Sequence, residues 1–362
     1  MAVNGGVGNS RILSVLATHY RDPMHDMTDR MYRRVESILA STTTMNRRLH
    51  ATAEDLSKKW AIGKQIASDT VKATTQSFIR NAVHPIERRF KTKNATLRYN
   101  QLRSTFYSDT MFSNTQSVLG NSMAQLFAND QGFVKVVPMA HKSDAGFALS
   151  ELIQDVGIPH HIHTDEAKEL TLGTWKKVCR DHSIKMTNTE PHTPQQNRAE
   201  GAIRELKRHT IRFMSRTNTP HRLWDFAAVY TAELRNRLAL PLYQLHGRTP
   251  IEILTGNTPD ISEYLDFEWY QPIWIYDSAP FPEKRRNIGK WLGIAHRVGQ
   301  AMCYWVLPPS GVPIARTTVQ AISKDELSTD VVKKTSCKLV MVKLPLNLDP
   351  GAAMTPVPSL PI

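Results

Sequence analysis

The sequence predicts an α/β fold in which helices pack against a mixed sheet of five strands. Three consecutive stretches read as β-strands joined by short polar turns, and predicted helices and strands then alternate. A run of strands followed by such alternation is typical of a mixed sheet. The chain has 362 residues and is 41% hydrophobic, which is enough for a sizeable core.

The predicted sheet begins after residue 100. Its first three strands lie in "STFYSDTMFS", "SMAQLFAND" and "GFVKVVPMA", within residues 104–140. The next elements alternate in type, as expected for helices packed against a sheet. They are a helix over 143–157, a strand at "IPHHIHTD", a helix over 169–183, a strand over 184–191 and a long helix over 197–217.

Smaller regions are expected on either side of this core, which we assign to residues 100–260. Residues 1–50 form a helical and flexible region with a helix over 27–40. Residues 51–84 outline a helix-turn-helix that opens at Thr52 and breaks at Gly63. Such a motif can place its second helix in a DNA groove, but plain helical packing explains it equally well. Aromatic strands over 266–327 predict a small β-barrel, and 328–362 a flexible tail.

Charge and cysteine content restrict the class of protein. The formal net charge is +13, which favours a polyanionic partner such as nucleic acid. The three cysteines, at positions 179, 303 and 337, form no CxxC pair. We therefore expect no disulfide framework, and we expect the protein to occupy a reducing compartment. No apolar stretch approaches the length of about 18–20 residues that spans a membrane. We therefore expect a soluble intracellular protein without a membrane partner.

Three carboxylates stand at positions that such a sheet can bring together. Asp109 lies within the first strand, Asp165 ends the fourth, and Glu200 lies in the first turn of the long helix. Strand ends and a helix lying across them meet at one edge of a sheet. Carboxylate oxygens suit Mg²⁺, and two such ions about 3.5–4 Å apart can assist an in-line displacement at phosphorus.

The long helix also carries basic residues on the face of Glu200. Arg204 and Lys207 follow it by four and seven residues, where DNA phosphates would lie beside the metal ions. A structural alternative exists for each carboxylate taken singly. An Asp at a strand end is often a cap or turn residue, and a Glu in a first helical turn suits the helix dipole. Asp165 could thus be a helix cap.

Several longer motifs carry a family resemblance. The runs "HTD", "TEPHTPQQNRAEGAIRELK", "RLWDFAAVYTAELRNR" and "GRTPIEILTGNTPDISE" resemble, in order, those of copia-type LTR retrotransposon integrases, and the likeness covers residues 85–327. It implies an RNase H-like catalytic core and a small SH3-like β-barrel after it. It also implies that Asp109, Asp165 and Glu200 are catalytic and bind two Mg²⁺ or Mn²⁺ ions.

The resemblance further implies an activity and its partners. The chain would be a polynucleotidyl transferase that trims the 3′ ends of element DNA and transfers them into target DNA, working as a homo-oligomer. Its expected location is the nucleus, and a cytoplasmic virus-like particle if the element is active. The expected DNA-contacting residues are Arg204, Lys207, Arg208, Asn197 and Lys168.

Two departures from the family pattern leave other functions open. No cysteine precedes Cys179, so the His-His-Cys-Cys zinc module that usually begins these integrases is absent from this sequence. Glu166 follows Asp165 where many relatives carry Asn, which adds a carboxylate beside the expected ligand. A catalytically inactive DNA-binding remnant is therefore an alternative. A cut-and-paste DNA transposase with the same metal chemistry is a third, disfavoured by the copia-like motifs after Glu200.

Overall fold

Two five-stranded sheets organise the described part of the chain. Three predictions fall outside the described residues: the helix over 27–40, the role of Asn197 and the tail over 328–362. The computed structural model describes residues 50–76, 101–189, 198–277, 285–298, 302–323 and 326.

The first sheet has the predicted mixed topology, with strand order β3-β2-β1-β4-β5. β1, β2 and β3 are antiparallel to one another, whereas β4 runs parallel to β1 and β5 parallel to β4. With helices on its faces, this sheet confirms the predicted RNase H-like α/β fold class. The strands are β1 (Gln101–Phe112), β2 (Met123–Asn129), β3 (Val134–Met139), β4 (Ile158–Thr164) and β5 (Lys185–Asn188).

Helices cover both faces of this sheet. The described helices are α1 (Ala53–Trp60), α2 (Lys64–Ala73), α3 (Ala145–Asp155), α4 (Lys168–Thr171), α5 (Gly173–Asp181), α6 (Arg198–Thr217), α7 (Trp224–Arg235) and α8 (Pro250–Thr255). On one face, Leu149 of α3 and Trp175 of α5 share a buried cluster with Phe106 of β1. On the other, Leu206 of α6 shares a second cluster with Leu126 of β2. The alternation along each strand thus buries both faces.

The single helix predicted over 169–183 is wrong, because the chain breaks between α4 and α5. Leu172 has extended backbone angles and Gly173 has a φ of +61°, a left-handed conformation that glycine adopts readily. The break lets α5 lie close against α3. At Gly146 of α3, an added Cβ would come within 2.7 Å of the Thr174 side chain.

The second sheet is antiparallel throughout, with strand order β10-β6-β7-β8-β9. Its strands are β6 (Pro272–Asp277), β7 (Arg285–Ile294), β8 (Tyr304–Leu307), β9 (Ile314–Arg316) and β10 (Val319–Ala321). Only Thr317 and Thr318 separate the edge strands β9 and β10, so the two edges lie near each other and the sheet is strongly curled. The bend between β9 and β10 lets this short stretch of chain pair with both β8 and β6.

The helical pair α1–α2 packs on the main body of the chain. Leu56, Trp60 and Ala67 are buried in the same cluster as α6 and α7. Lys59 Nζ donates to the Leu265 carbonyl at 2.8 Å. One side of the predicted helix-turn-helix is therefore used for packing against the rest of the chain. Binding of DNA by the second helix stays a prediction. Among the helices described, none is both long and apolar enough to cross a membrane.

Candidate active site

Asp109 and Asp165 lie side by side at one edge of the first sheet. In the parallel ladder between β1 and β4, Ser108 pairs with Thr164, and the next residue in each chain is one of the two aspartates. Because side chains in neighbouring strands share the same alternation, both carboxylates belong to the face covered by α6. Asp109 is half-buried and Asp165 is exposed.

Glu200 lies in the first turn of α6, near enough for its charge to act on Asp109. Its neighbour Ala199 is fully buried, whereas Glu200 itself is exposed. A clamp holds the start of the helix: the Arg198 guanidinium lies 2.6 Å from a carboxylate oxygen of Asp130 and sits over the Tyr107 ring, 5.7 Å from its centroid. The first turn of α6 is thereby fastened to β1, two residues before Asp109.

Asp109 lies close enough to Asp165 and Glu200 for their charges to act on it. Burial raises the pKa of Asp109, and the negative charges of Asp165 and Glu200 raise it further. Two neighbours act in the opposite direction and lower this pKa: the Thr110 N–H, which donates to Asp109 Oδ1 at 2.7 Å, and the Lys207 ammonium. The net shift of the Asp109 pKa is upward.

The carboxylates do not form a closed ligand set in the observed conformation. Within the described residues, no three His, Cys, Asp or Glu side chains are grouped closely enough to hold a metal ion. Asp165 Oδ1 instead accepts the Glu166 N–H at 2.7 Å. The donor types nevertheless suit a hard cation: three carboxylates supply only oxygen, which Mg²⁺ and Mn²⁺ prefer.

The alternative that Asp165 caps a helix is wrong. The cap position of α4 is Ala167, which makes no side-chain cap hydrogen bond. Asp165 precedes it by two residues, and its carboxylate accepts the N–H of the next residue, Glu166. The exposed carboxylate of Glu166 follows directly.

The basic residues expected to contact DNA differ in how close they come to the carboxylates. Lys207 Nζ donates to the Phe112 carbonyl at 3.1 Å, at the end of β1, and so lies beside Asp109. Arg204 and Arg208 are exposed on α6. Together with Glu200, Ile203, Lys207 and Ile211 they line an open groove along this helix. Lys168 is exposed at the start of α4, and Asn197 lies outside the described residues.

Two histidines on the same face of the sheet had no assigned role in the sequence analysis. His161 and His163 share side-chain alternation with Asp165, so the spacing His-x-His-x-Asp was the signal that could have singled them out. Burial lowers the pKa of both rings, and for His161 the charges of Lys185 and neighbouring histidines lower it further. The lowered pKa favours the neutral form of both rings.

Comparisons with known proteins give structural likeness alone. No protein-family model and no curated protein matches this chain. Similar solved structures include the catalytic core domain of BIV integrase (20% identity, TM-score 0.34, covering 42% of this chain and 93% of that one). A simian T-cell lymphotropic virus intasome in complex with the PP2A regulatory subunit B56 gamma is also similar (17% identity, TM-score 0.34, covering 64% of this chain and 84% of that one). A third similar structure is the HTLV-2 integrase catalytic core domain in complex with magnesium (17% identity, TM-score 0.33, covering 43% of this chain and 99% of that one). Values this low leave the family of the chain open.

Proposed function

We propose that this chain is a polynucleotidyl transferase of the integrase class, which joins 3′ ends of element DNA to phosphodiesters of a target duplex. The observation that carries the proposal is that Asp109 and Asp165 each follow a paired residue of neighbouring strands, and that the charge of Glu200, on the exposed basic face of α6, acts on Asp109. The resemblance of the sequence motifs to copia-type integrases supports it. The cofactor we propose is a pair of Mg²⁺ or Mn²⁺ ions.

The proposed roles of the carboxylates follow from where they are attached. Asp109 and Asp165 stand on neighbouring strands, so their separation is restrained by the backbone ladder, whereas Glu200 approaches from a helix and can complete the set. Bound divalent ions would activate an oxygen nucleophile and neutralise the leaving oxygen in an in-line displacement. The pKa of Asp109 is raised first by burial and then by the charges of Asp165 and Glu200, and a bound cation would favour the ionised carboxylate.

DNA would be bound mainly through its phosphates. Arg204, Lys207 and Arg208 line the groove next to Glu200, and Lys168 is exposed near Asp165. Phosphate contacts carry no base sequence, so we propose target choice that is largely independent of sequence and binding that weakens steeply with salt. Bringing two DNA ends together requires a homo-oligomer, and the substrate implies a nuclear location, preceded by a virus-like particle in an active element.

A catalytically inactive DNA-binding protein is the second candidate. The observation that favours it is that, among the described residues, no three potential ligands are grouped closely enough for a metal ion. The extra carboxylate of Glu166 beside Asp165 also favours it, since its negative charge changes the charge balance of the site. This candidate predicts salt-sensitive DNA binding without products.

The deciding experiment is metal-dependent strand transfer of a labelled duplex by the purified protein, compared with a Glu200→Gln variant. We expect the wild-type chain to give products with Mg²⁺ or Mn²⁺, and the variant to lose activity by on the order of a hundredfold or more, the scale of single electrostatic groups in active sites. DNA affinity should be retained by the variant, since the basic groove is unchanged.

Glu54→Gln is a matched control, because Glu54 is likewise an exposed glutamate in the first turn of a helix. It makes the same change in charge and helix-dipole interaction away from the site, so its activity should equal that of the wild type. Full activity of Glu200→Gln would overturn the proposed role of Glu200. Salt-sensitive binding without products, by wild type and variant alike, would favour the inactive DNA-binding protein.

A further inference from the structure

A row of hydroxyl and imidazole groups crosses three strands on the face of the sheet that carries Asp109 and Asp165. In the parallel ladders, Thr105 of β1 pairs with His161 of β4, and His163 pairs with Thr187 of β5. Because alternate residues of a strand share a face, these side chains form a band leading towards Asp165.

Hydrogen bonds connect this band without interruption. His161 Nδ1 lies 3.3 Å from Thr105 Oγ1, and His161 Nε2 lies 2.7 Å from Thr187 Oγ1. The same Thr187 hydroxyl lies 2.8 Å from His163 Nδ1. His163 Nε2 then lies 3.2 Å from Thr189 Oγ1. Thr187 is thus the central member, shared by both rings.

The direction of this chain depends on the hydroxyl hydrogen of Thr189. Thr189 Oγ1 lies 3.3 Å from the Thr164 carbonyl and 3.2 Å from His163 Nε2, and its one hydrogen serves one of them at a time. When it serves the carbonyl, His163 Nε2–H donates to Thr189, and the Nδ1 of a neutral ring accepts from Thr187.

That choice sets the rest of the chain. With the Thr189 hydrogen on the carbonyl, Thr187 donates to His163 and accepts from His161 Nε2–H, and His161 Nδ1 accepts from the Thr105 hydroxyl. With the Thr189 hydrogen on His163, each of these bonds reverses. In both cases every ring nitrogen has a partner and all bonds run in the same direction, which favours mutual strengthening.

The chain ends on the peptide group that carries Asp165. The Thr164 carbonyl accepts from the Thr189 hydroxyl and also from the Thr189 N–H at 2.8 Å. This carbonyl belongs to the planar peptide that joins Thr164 to Asp165, so holding it sets the direction in which Asp165 leaves the strand. Thr164 is only 1% exposed, and water therefore has little access to these bonds.

We propose that this chain of hydrogen bonds, with Thr187 at its centre, positions Asp165 as a ligand for the divalent ion. The inference rests on the proposed function, since it assigns Thr187 and Thr189 a role towards that same site. Thr187 and Thr189 are positioning residues, because they act through the peptide group of Asp165. Groups that orient a ligand in this way typically change metal affinity by about 10- to 100-fold when removed.

The test measures Mn²⁺ affinity of the full chain by electron paramagnetic resonance, beside strand transfer, for Thr187→Val and Thr187→Ser. Valine keeps the shape of threonine and removes the hydroxyl, whereas serine keeps the hydroxyl. We expect Thr187→Val to bind Mn²⁺ about 10- to 100-fold more weakly and Thr187→Ser to bind it like the wild type. If Thr187 only stabilised the fold, fully folded Thr187→Val and Thr187→Ser would bind Mn²⁺ with the same affinity.

Two further variants distinguish a specific effect on Mn²⁺ affinity from a general effect of removing a buried hydroxyl. Thr189→Val removes the hydroxyl that donates to Thr164 and should weaken Mn²⁺ binding in the same way. Thr231→Val makes the same change at a buried hydroxyl that donates to the Ala227 carbonyl in α7, away from the site, and should leave Mn²⁺ affinity unchanged.

The outcomes separate this inference from the proposed function. Wild-type Mn²⁺ affinity in folded Thr187→Val and Thr189→Val would overturn the positioning role, whatever the activity. A second outcome is that the wild type binds Mn²⁺, that Thr187→Val and Thr189→Val do not, and that none of the three proteins catalyses strand transfer. This outcome would support the positioning role and contradict the polynucleotidyl transferase activity. A wild-type chain that bound no Mn²⁺ would overturn both.

Discussion

At the scale of single residues, the absence of a side chain at Gly146 lets two helices approach closely. A Cβ at this position would lie 2.7 Å from Thr174 Cβ and 2.8 Å from the Trp175 backbone nitrogen. The Trp175 side chain is only 1% exposed, so its backbone nitrogen cannot move aside without displacing a buried ring. The contact therefore fixes the distance between α3 and α5.

Gly146→Ala should lower the free energy of unfolding by about 1–3 kcal/mol, because overpacking forces a shift of one helix. Chemical denaturation followed by circular dichroism measures this change in the free energy of unfolding. Gly201→Ala is the control: nothing lies within 4 Å of a Cβ there, and alanine should stabilise α6 by about 0.5–1 kcal/mol. Equal stability of Gly146→Ala and the wild type would show that the helices can separate without cost.

At the scale of elements, ion pairs fasten the end of β7 to α3. The guanidinium of Arg297, just after β7, lies 2.9 Å from a carboxylate oxygen of Glu151 and 3.2 Å from one of Asp155. Lys135 of β3 reaches Asp155 at 2.6 Å. Burial alone would raise the pKa of Asp155, but the charge and hydrogen bond of Lys135, followed by those of Arg297, bring it below its ordinary value.

Asp155→Asn should lower the free energy of unfolding at pH 7 by about 1 kcal/mol, since it removes a carboxylate paired with two cations. The pKa of Asp155 is lower in the folded chain, so its stabilisation is present above the unfolded pKa of about 3.9 and is lost as the pH falls through the folded value. The difference between variant and wild type should therefore shrink in acid, as measured by denaturant unfolding at a series of pH values.

Asp69→Asn provides the comparison for this ion pair. Asp69 faces Lys72 at 3.8 Å in α2, where the two side chains are 40% and 75% exposed. Solvent screens such a pair, and its removal should change stability little at any pH. If Asp155→Asn behaved like Asp69→Asn at pH 7, the ion pairs of Arg297 would not fasten β7 to α3.

At the scale of the whole described body, an aromatic cluster joins the second sheet to the helices of the first. Trp291 of β7 is fully buried, with ring centroids 5.3 Å from Tyr230 of α7 and 6.0 Å from Phe267. Tyr230 also stacks on Trp269 at 5.1 Å. These residues belong to the same buried cluster as Leu126 of the first sheet. The two sheets are therefore expected to unfold together.

Trp291→Ala should lower the free energy of unfolding by about 3–5 kcal/mol, because it leaves a cavity in this shared cluster. Thermal unfolding by near- and far-ultraviolet circular dichroism should show one transition at a lower temperature. Trp291→Phe, which keeps an aromatic ring, should have a smaller effect. Two separate transitions, with the first sheet unaffected, would mean that the regions predicted as 100–260 and 266–327 fold independently.

Local patterns in the sequence determined much of the fold. The spacing of apolar residues is a property of near neighbours along the chain. Strand-like patterns predicted the strands of the first sheet, and a helical period predicted the long helix α6. The break at Gly173 was missed because it depends on the contact of α5 with Gly146, which lies far away along the chain. For the same reason, the bend at Thr317 and Thr318 needed the pairing of β9 and β10 with two different strands.

The sequence by itself determined which carboxylates to consider, since their order and the motifs around them singled out Asp109, Asp165 and Glu200. Only the tertiary structure decided that Asp109 lies next to Asp165 and feels the charge of Glu200. It also decided that Thr187 joins His161 to His163. The physical reason is that hydrophobic alternation is encoded locally, whereas close packing, hydrogen-bond direction and charge interaction depend on groups that meet only after the chain has folded.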